Sequence, residues 1–334
     1  MLVICFAMEK YEPPFSTTNE ILSLATSITE KLGSLSPITD LRKQPLLRRA
    51  NRLKSIHSSC AIEGNTLTID QVSDVISGKI VVAPKNEILE IKNAHDAYNL
   101  LETADPYTVE SILKIHAVMM GELINESGKF RSGSVGVFKG STPVHIAPPA
   151  ENVPILVEKL LNWVKTADVH ELIKSCVFHY EFGFIHPFAD GNGRMVRFLQ
   201  SSILSKWKPI FAWTPIETVV KERQQEYYAV YQESNAAGNS TAFIVYMLNA
   251  ISDSLDNLVS DCKKYMSNVT PHVQRLLQVI DYIPMSAKQI SDKLGLKSSA
   301  GLKRNYIDPA IDLGFVKMTD PNNPKSKNQK YYKA

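Results

Sequence analysis

His186-Pro187-Phe188-Ala189-Asp190-Gly191-Asn192-Gly193-Arg194-Met195-Val196-Arg197 decides how this chain is read. Apolar, helix-like sequence precedes it from Leu172 to Phe182. Met195, Val196, Phe198, Leu199, Ile203 and Leu204 follow in a run that is apolar on most sides. A helix apolar all round is a buried one. The stretch is therefore a short loop between two central helices, and Gly191-Asn192-Gly193 leads into the N-terminus of the second. A first helical turn offers unpaired N–H groups and partial positive charge, and glycine lets a ligand approach the backbone. Arg194 and Arg197, three apart, share one face of that turn and add two cations. Such a nest suits a polyphosphate. Asp190 suits a Mg2+ that bridges phosphate oxygens. The His186 imidazole titrates near neutral pH and suits proton removal from an attacking hydroxyl. A capped glycine turn with a surface charge cluster is the plainer alternative, but it leaves the concentration of these groups in one loop unexplained.

The same residues resemble the Fic-family signature HxFx(D/E)GNGRxxR, with every fixed position filled. Flanking similarity extends over roughly residues 8–260. The resemblance implies a mainly α protein, a Fic-type helical core with a small β-hairpin flap. It implies transfer of AMP from ATP to a hydroxyl side chain (Tyr, Ser or Thr) of a target protein. Carried over by position, His186 is the base, Asp190 the Mg2+ ligand, and Phe188 the anchor of the loop. The Asn192 side chain with the Gly191 and Gly193 backbone forms the anion hole, and Arg194 and Arg197 hold the β- and γ-phosphates.

Composition narrows the setting. With 334 residues and 44% hydrophobic content the chain can bury two or three cores. We divide it into an N-terminal helical region (1–105), the Fic core (106–262) and a winged helix-turn-helix domain (268–334). Residues 296–334 carry eight Lys/Arg against three Asp, so a net charge of +3 hides a basic tail on a slightly acidic body. Cys5, Cys60, Cys176 and Cys262 form no CxxC pair, which argues against a zinc site or disulfide framework and for a reducing cytoplasm. Leu2–Ala7 is too short for a signal peptide and lacks a basic start, and no apolar stretch is long enough to span a bilayer. Met8 is an alternative start.

Residues 9–18 are Pro-rich and read as an extended arm before a helix over 19–32. Leu47, Ala50, Leu53, Ile56 and Cys60 then recur at helical spacing, and the helix ends at Glu63-Gly64-Asn65 with a left-handed cap at Gly64 or Asn65. A carboxylate in a last turn sits at the wrong end of the dipole, by roughly 0.3–1 kcal/mol, unless a cation faces it. Ser59-Cys60-Ala61-Ile62-Glu63-Gly64 resembles the (S/T)xxxE(G/N) inhibitory motif of one Fic class. There the glutamate pairs with the second signature arginine, which is Arg197 here, and keeps it from the γ-phosphate.

Thr68–Gln71 is a capping box opening a short helix that stops at Gly78, and helices follow over 86–101 and 108–123. His95 and His116 read as packing or surface residues. Ser132–Lys139 reads as a short hairpin closed by Pro143, Pro148 and Pro149. By resemblance this is the flap that grips the target by strand pairing, with Val144, His145 and Ile146 as candidate contacts. Val153–Val164 and Leu172–Phe182 are helices, and His179 reads as a packed histidine. Thr214–Glu217 is a second capping box, opening a helix that carries Tyr227, Tyr228, Tyr231 and Asn235. Tyr228 and Asn235 share a face and resemble the family's adenine-side pattern.

A helix over 242–258 completes the core. Helices over 272–283, 286–294 and 298–313, then strands at 316–319 and 329–332, make a winged-helix pattern whose basic third helix and wing are placed to meet DNA. Alternatives stay open: phosphate, phosphocholine or other nucleotide transfer, removal of AMP with Glu63 orienting water, or an ATP-sensing DNA-binding regulator. Arg194 argues against phosphotransfer, whose relatives carry lysine there, and an intact His186 argues against a pure sensor. Self-modification and a homodimer also stay open.

Overall fold

A segment apolar on every side must be covered on every side, and Glu171–Ile185 and Asn192–Trp207 are covered so. The computed structural model describes residues 11–35, 45–139, 142–267, 269–296, 298 and 300–333; side chains at 34, 45, 136–146 and 265–267 lie outside that description. In chain order, α1 (Asn19–Leu35), α2 (Pro45–Ile62), α3 (Ile69–Ile76), α4 (Lys85–Asn99) and α5 (Val109–Met120) lead to a hairpin of β1 (Gly136–Lys139) and β2 (Thr142–Ile146). Then come α6 (Val153–Thr166), the central pair α7 (Glu171–Ile185) and α8 (Asn192–Trp207), α9 (Ile216–Glu222), α10 (Gln224–Ala237) and α11 (Thr241–Ser267). The chain ends with α12 (Pro271–Val279), β3 (Met285–Ser286), α13 (Ala287–Lys293), a π-helical turn at Lys303–Ile307, α14 (Asp308–Asp312), β4 (Val316–Met318) and β5 (Lys330–Lys333). The protein is mainly α, as the resemblance implies. No helix among the described residues is long and apolar enough to cross a membrane.

The chain forms two compact units, residues 1–31 with 52–255 and residues 32–51 with 256–334. In the first, α7 packs between α6 and α8, and α8 also meets α5. Phe178, Phe182 and Phe198 are fully buried in this layer. The extended arm lies along it: the Tyr11 hydroxyl donates to Glu181 (2.7 Å), and Ser240 N–H donates to the Pro14 carbonyl (2.9 Å). Helix α7 stops because Pro187 disfavours the right-handed helical region at the residue before it. His186 there takes φ 51°, ψ 59°, a left-handed backbone rare outside glycine.

Three local readings are corrected. The hairpin is offset from Ser132–Lys139: β1 is its first strand, and Pro143 lies inside β2 opposite Phe138, beside an irregularity at Val137/Phe138. Proline is tolerated there because an edge position needs no N–H on its outer side. The second capping box does not form. Glu217 is buried and accepts from Ser55 (2.9 Å) and Tyr98 (2.8 Å), while Thr214 donates back to Ile210 (3.0 Å). The helix it was to open breaks at Arg223, separating α9 from α10. The third C-terminal helix is shorter than 298–313, reduced to the π-turn and α14.

In the second unit Val273, Leu276, Ile290, Leu302, Ile307 and Val316 form a separate core. Strand β5 pairs with both β3 and β4, so the terminal hairpin is stitched to the start of α13. Ser286 caps α13 in a capping box with Gln289. Lys303, Arg304, Lys317, Lys325, Lys327 and Lys330 are exposed, and Lys303 donates to the Pro324 carbonyl (3.4 Å), placing the turn helix beside the long β4–β5 loop.

Candidate active site

The loop from His186 to Gly191 is held by residues that point inward. Phe188 is fully buried and stacks on the His116 ring at 3.7 Å. Asn192 closes a ring with Phe188, accepting from its N–H (2.9 Å) and donating to its carbonyl (2.8 Å). The Asn192 side chain is thus a strut of the loop, and one N–H of its amide lies beyond these two bonds. His116 takes the Gly128 N–H on Nδ1 (2.9 Å), which leaves Nε2–H to donate to the Asp190 carbonyl (3.0 Å). Burial lowers the His116 pKa, in keeping with a neutral ring of one tautomer. The His179 ring is buried between Gln200 (2.6 Å) and Tyr227 (2.9 Å), and burial pushes its pKa down to about 3.

The groups left facing outward are those with chemistry. His186 Nδ1 lies 3.3 Å from the Gly183 carbonyl. A carbonyl only accepts, so Nδ1 carries the hydrogen, and in the neutral ring the lone pair is on Nε2. The Asp190 side chain is 59% exposed; its Oδ1 accepts from Gly191 N–H (2.6 Å) and Arg194 (3.3 Å). Among the described residues its second oxygen has no partner. Gly191, at φ 83°, turns the chain into α8, where a Cβ would strike Met120. The N–H groups of Asn192, Gly193 and Arg194, in the first turn of α8, come before any carbonyl of the helix that could accept them.

Both arginines are occupied by carboxylates. Arg197, 3% exposed, donates to Glu63 Oε1 (2.7 Å), to the Ser59 carbonyl (2.9 Å) and to the Ser59 hydroxyl (3.2 Å). Burial opposes the Arg197 charge, but the Glu63 carboxylate, with Tyr227 and Tyr98 nearby, outweighs it and raises its pKa. Glu63 caps the end of α2, where Gly64 at φ 99° and the Asn65 N–H to Cys60 O bond (3.1 Å) make a Schellman turn. Its Oε1 stands against the place a Gly193 Cβ would occupy, so the carboxylate rests on the first turn of α8. The unfavourable end of one helix dipole is offset by the favourable end of another. Arg194 is paired with Glu90 of α4, whose other oxygen accepts from Asn65 (2.7 Å).

Tyr228 is half-exposed at the start of α10, edge-on to Tyr227. Asn235 Oδ1 accepts from the Tyr180 hydroxyl (2.7 Å) two turns further on. Tyr231 lies between them, donating to the Tyr180 carbonyl (3.0 Å) across Gly183, where a Cβ would meet its hydroxyl at 2.7 Å. Helix α10 also lies against β2. The Val144, His145 and Ile146 side chains, singled out as flap contacts, lie outside the described residues.

A sequence profile of the Fic/DOC family matches residues 106–204, and one described as "Filamentation induced by cAMP protein Fic-like, C-terminal domain" matches 271–332. The crystal structure of a Fic family protein from Desulfovibrio desulfuricans G20 is 40% identical, with a TM-score of 0.74 over 97% of this chain and 98% of that one. The chain belongs to the Fic family. It is 30% identical over 244 residues to "Protein adenylyltransferase Fic" of Drosophila mojavensis, covering 69% of this chain and 46% of that protein. The protein of the same name from Nematostella vectensis is 26% identical, covering 74% and 57%. The chain thus spans about half the length of these curated relatives. Fic-1 from C. elegans (residues 134–508 of that protein) shares the fold, with a TM-score of 0.63 at 21% identity, covering 73% of each chain.

Three residues around the Fic signature escaped the sequence reading. Glu90 gave a faint signal, a lone charge among Ile91, Ala94 and Ala97 on the buried face of α4. His116 was read only as packing or surface, although it fixes the Asp190 carbonyl. Arg131 gave none. Its partners are backbone carbonyls, and all but that of Gly133 are far away in sequence.

Proposed function

We propose that this chain transfers AMP from ATP to a Tyr, Ser or Thr hydroxyl of a target protein, and that Glu63 holds it idle. The carrying observation is the left-handed His186, its Nδ1 held 3.3 Å from the Gly183 carbonyl, at the end of the loop that opens α8. The target hydroxyl oxygen attacks the α-phosphorus, its proton passes to His186 Nε2, and the bond to pyrophosphate breaks. The N–H groups of Asn192, Gly193 and Arg194 face the phosphates, and Arg194 and Arg197 hold the β- and γ-phosphates. The exposed Asp190 oxygen fits Mg2+, which takes few protein ligands and fills the rest with phosphate and water; when bound it screens phosphate charge. Tyr228 and Asn235 frame the adenine side, and β2, through Val144, His145 and Ile146, pairs with the target segment.

Glu63 supports the idle state in two ways. It occupies Arg197, and its carboxylate rests on the surface of Gly193 where a phosphate would lie. Relatives named protein adenylyltransferase support the choice of AMP. Buried free thiols at Cys60, Cys176 and Cys262 support a reducing cytoplasm. Mass spectrometry after incubation with Mg-ATP and a cell extract tests the reading. A gain of AMP on a target or on the chain itself is expected. A gain of phosphate, loss of pre-existing AMP, or no change, in both wild type and Glu63→Gly, overturns it.

The proposed division remains 1–105, 106–262 and 268–334, with the last a winged helix that binds DNA. The supporting observation is the exposed Lys303 and Arg304 beside the wing lysines Lys325, Lys327 and Lys330. Affinity is expected to fall steeply with salt, by a log–log slope of about −0.9 per phosphate contact. Reversing Lys303 and Arg304 to Glu should weaken binding and flatten that slope in a gel-shift series. Equal binding and slope in the two proteins removes DNA as the partner.

A further inference from the structure

Arg131 sits in the connection between α5 and β1 and is 3% exposed. No carboxylate pairs with it among the described residues. Its hydrogen bonds all end on carbonyls: Nε donates to His186 (2.7 Å), Nη1 to Gly133 (2.9 Å), and Nη2 to Pro148 and to Ile185 (3.3 Å). Its own N–H donates to the Pro187 carbonyl (2.9 Å). Burial alone depresses its pKa, as it does for a cation without a counterion. A buried charge satisfied only by backbone is costly, and such an arrangement persists where it fixes geometry.

What it fixes is legible from the partners. Gly133 precedes β1 and Pro148 follows β2, so two donors close the base of the hairpin. Nε and Nη2 grip the carbonyls on either side of the left-handed turn at His186, a strained conformation that persists only when over-determined. The planar fork of an arginine can serve both sides at once, and the single ammonium of lysine cannot.

We infer that Arg131 is a positioning residue that latches the flap hairpin to the backbone of His186, so that engagement of a target on β2 sets the reach of the imidazole. The inference rests on the AMP-transfer reading for its consequence in catalysis, but not for its mechanical part. Hydrogen exchange on the full chain tests that part directly. In Arg131→Lys, exchange should quicken together in residues 132–147 and 183–191, leaving α11 and the second unit unchanged. Quickening in one segment alone, or throughout, overturns the latch.

Should Arg131→Lys fail to fold, the wild-type protein answers the same question. Flap and loop amides should open in one step with a shared denaturant dependence, and independent openings overturn it. In catalysis, with Glu63→Gly as the background, Arg131→Lys should lower kcat by about 10²-fold, the scale of a 1 Å misplacement. The target KM should rise while ATP affinity stays unchanged; a fall in ATP affinity with kcat intact also overturns the inference. If the background itself transfers nothing, the AMP reading fails and exchange alone decides the latch.

Discussion

Glu63→Gly is expected to raise AMP transfer by roughly one to two orders of magnitude. An equilibrium held at 99:1 by one contact takes about 2.7 kcal/mol to level, half of a full swing. A partly buried ion pair falls in that range. The Glu63 side chain is 28% exposed and its partner 3%, so solvent softens the interaction without removing it. Among the described residues, deleting the carboxylate leaves Arg197 with the Ser59 carbonyl and hydroxyl. Stability should therefore fall, by less than the roughly 3–5 kcal/mol of a fully buried pair, while activity rises. That opposition separates release of a catalytic cation from general loosening. In the double variant with Arg197→Ala the gain should vanish. Ser59→Ala should act weakly in the same direction, because its hydroxyl helps hold Arg197 in place. Labelling with α-phosphate-tagged ATP beside thermal unfolding reads both quantities, and equal labelling of wild type and Glu63→Gly would reduce Glu63 to a helix-end residue.

Removing the base should have the opposite and larger effect. In the Glu63→Gly background, His186→Ala is expected to lower single-turnover labelling by about 10²–10⁴-fold, the usual contribution of a general base. ATP binding should stay close to unchanged, since no phosphate contact involves the imidazole. Alanine is a poor occupant of φ 51°, so a loss could reflect the backbone. Asparagine tolerates the left-handed region better and has no basic nitrogen. His186→Asn should thus lose as much activity as His186→Ala while melting nearer wild type. A loss under threefold in either variant would end the assignment of His186 as base.

The helices and the loop were legible because their signals are local. The apolar runs flanking residues 186–191 show the central pair, and Gly191 to Gly193 marks the start of α8. Glu63 was legible from a six-residue motif at a helix end. Glu217 misled, because Thr-Pro-x-Glu describes a cap equally well as a buried acceptor, and Ser55 and Tyr98, distant in sequence, decided between them. The hairpin slid because small residues before β1 alternate as a strand does, while Pro143 reads as a terminator. Arg131 was invisible and Glu90 nearly so for a deeper reason. Their meaning lies in carbonyls and guanidinium groups brought near by tertiary folding, which no periodicity records.

Glu63 and Glu90 grip Arg197 and Arg194, one turn apart on the same helix, and Asn65 bonds Glu90 directly. Together they behave as one chelating ligand rather than two separate ones. While Glu90 stays seated, a detached Glu63 remains tethered beside its arginine, and short tethers give effective concentrations in the millimolar range. On the proposed function, a nucleotide displacing Glu63 competes with a carboxylate that never diffuses away. Under this reading, the threshold for waking the enzyme belongs to the tether running from Gly64 to Leu89 as much as to the ion pair at its end.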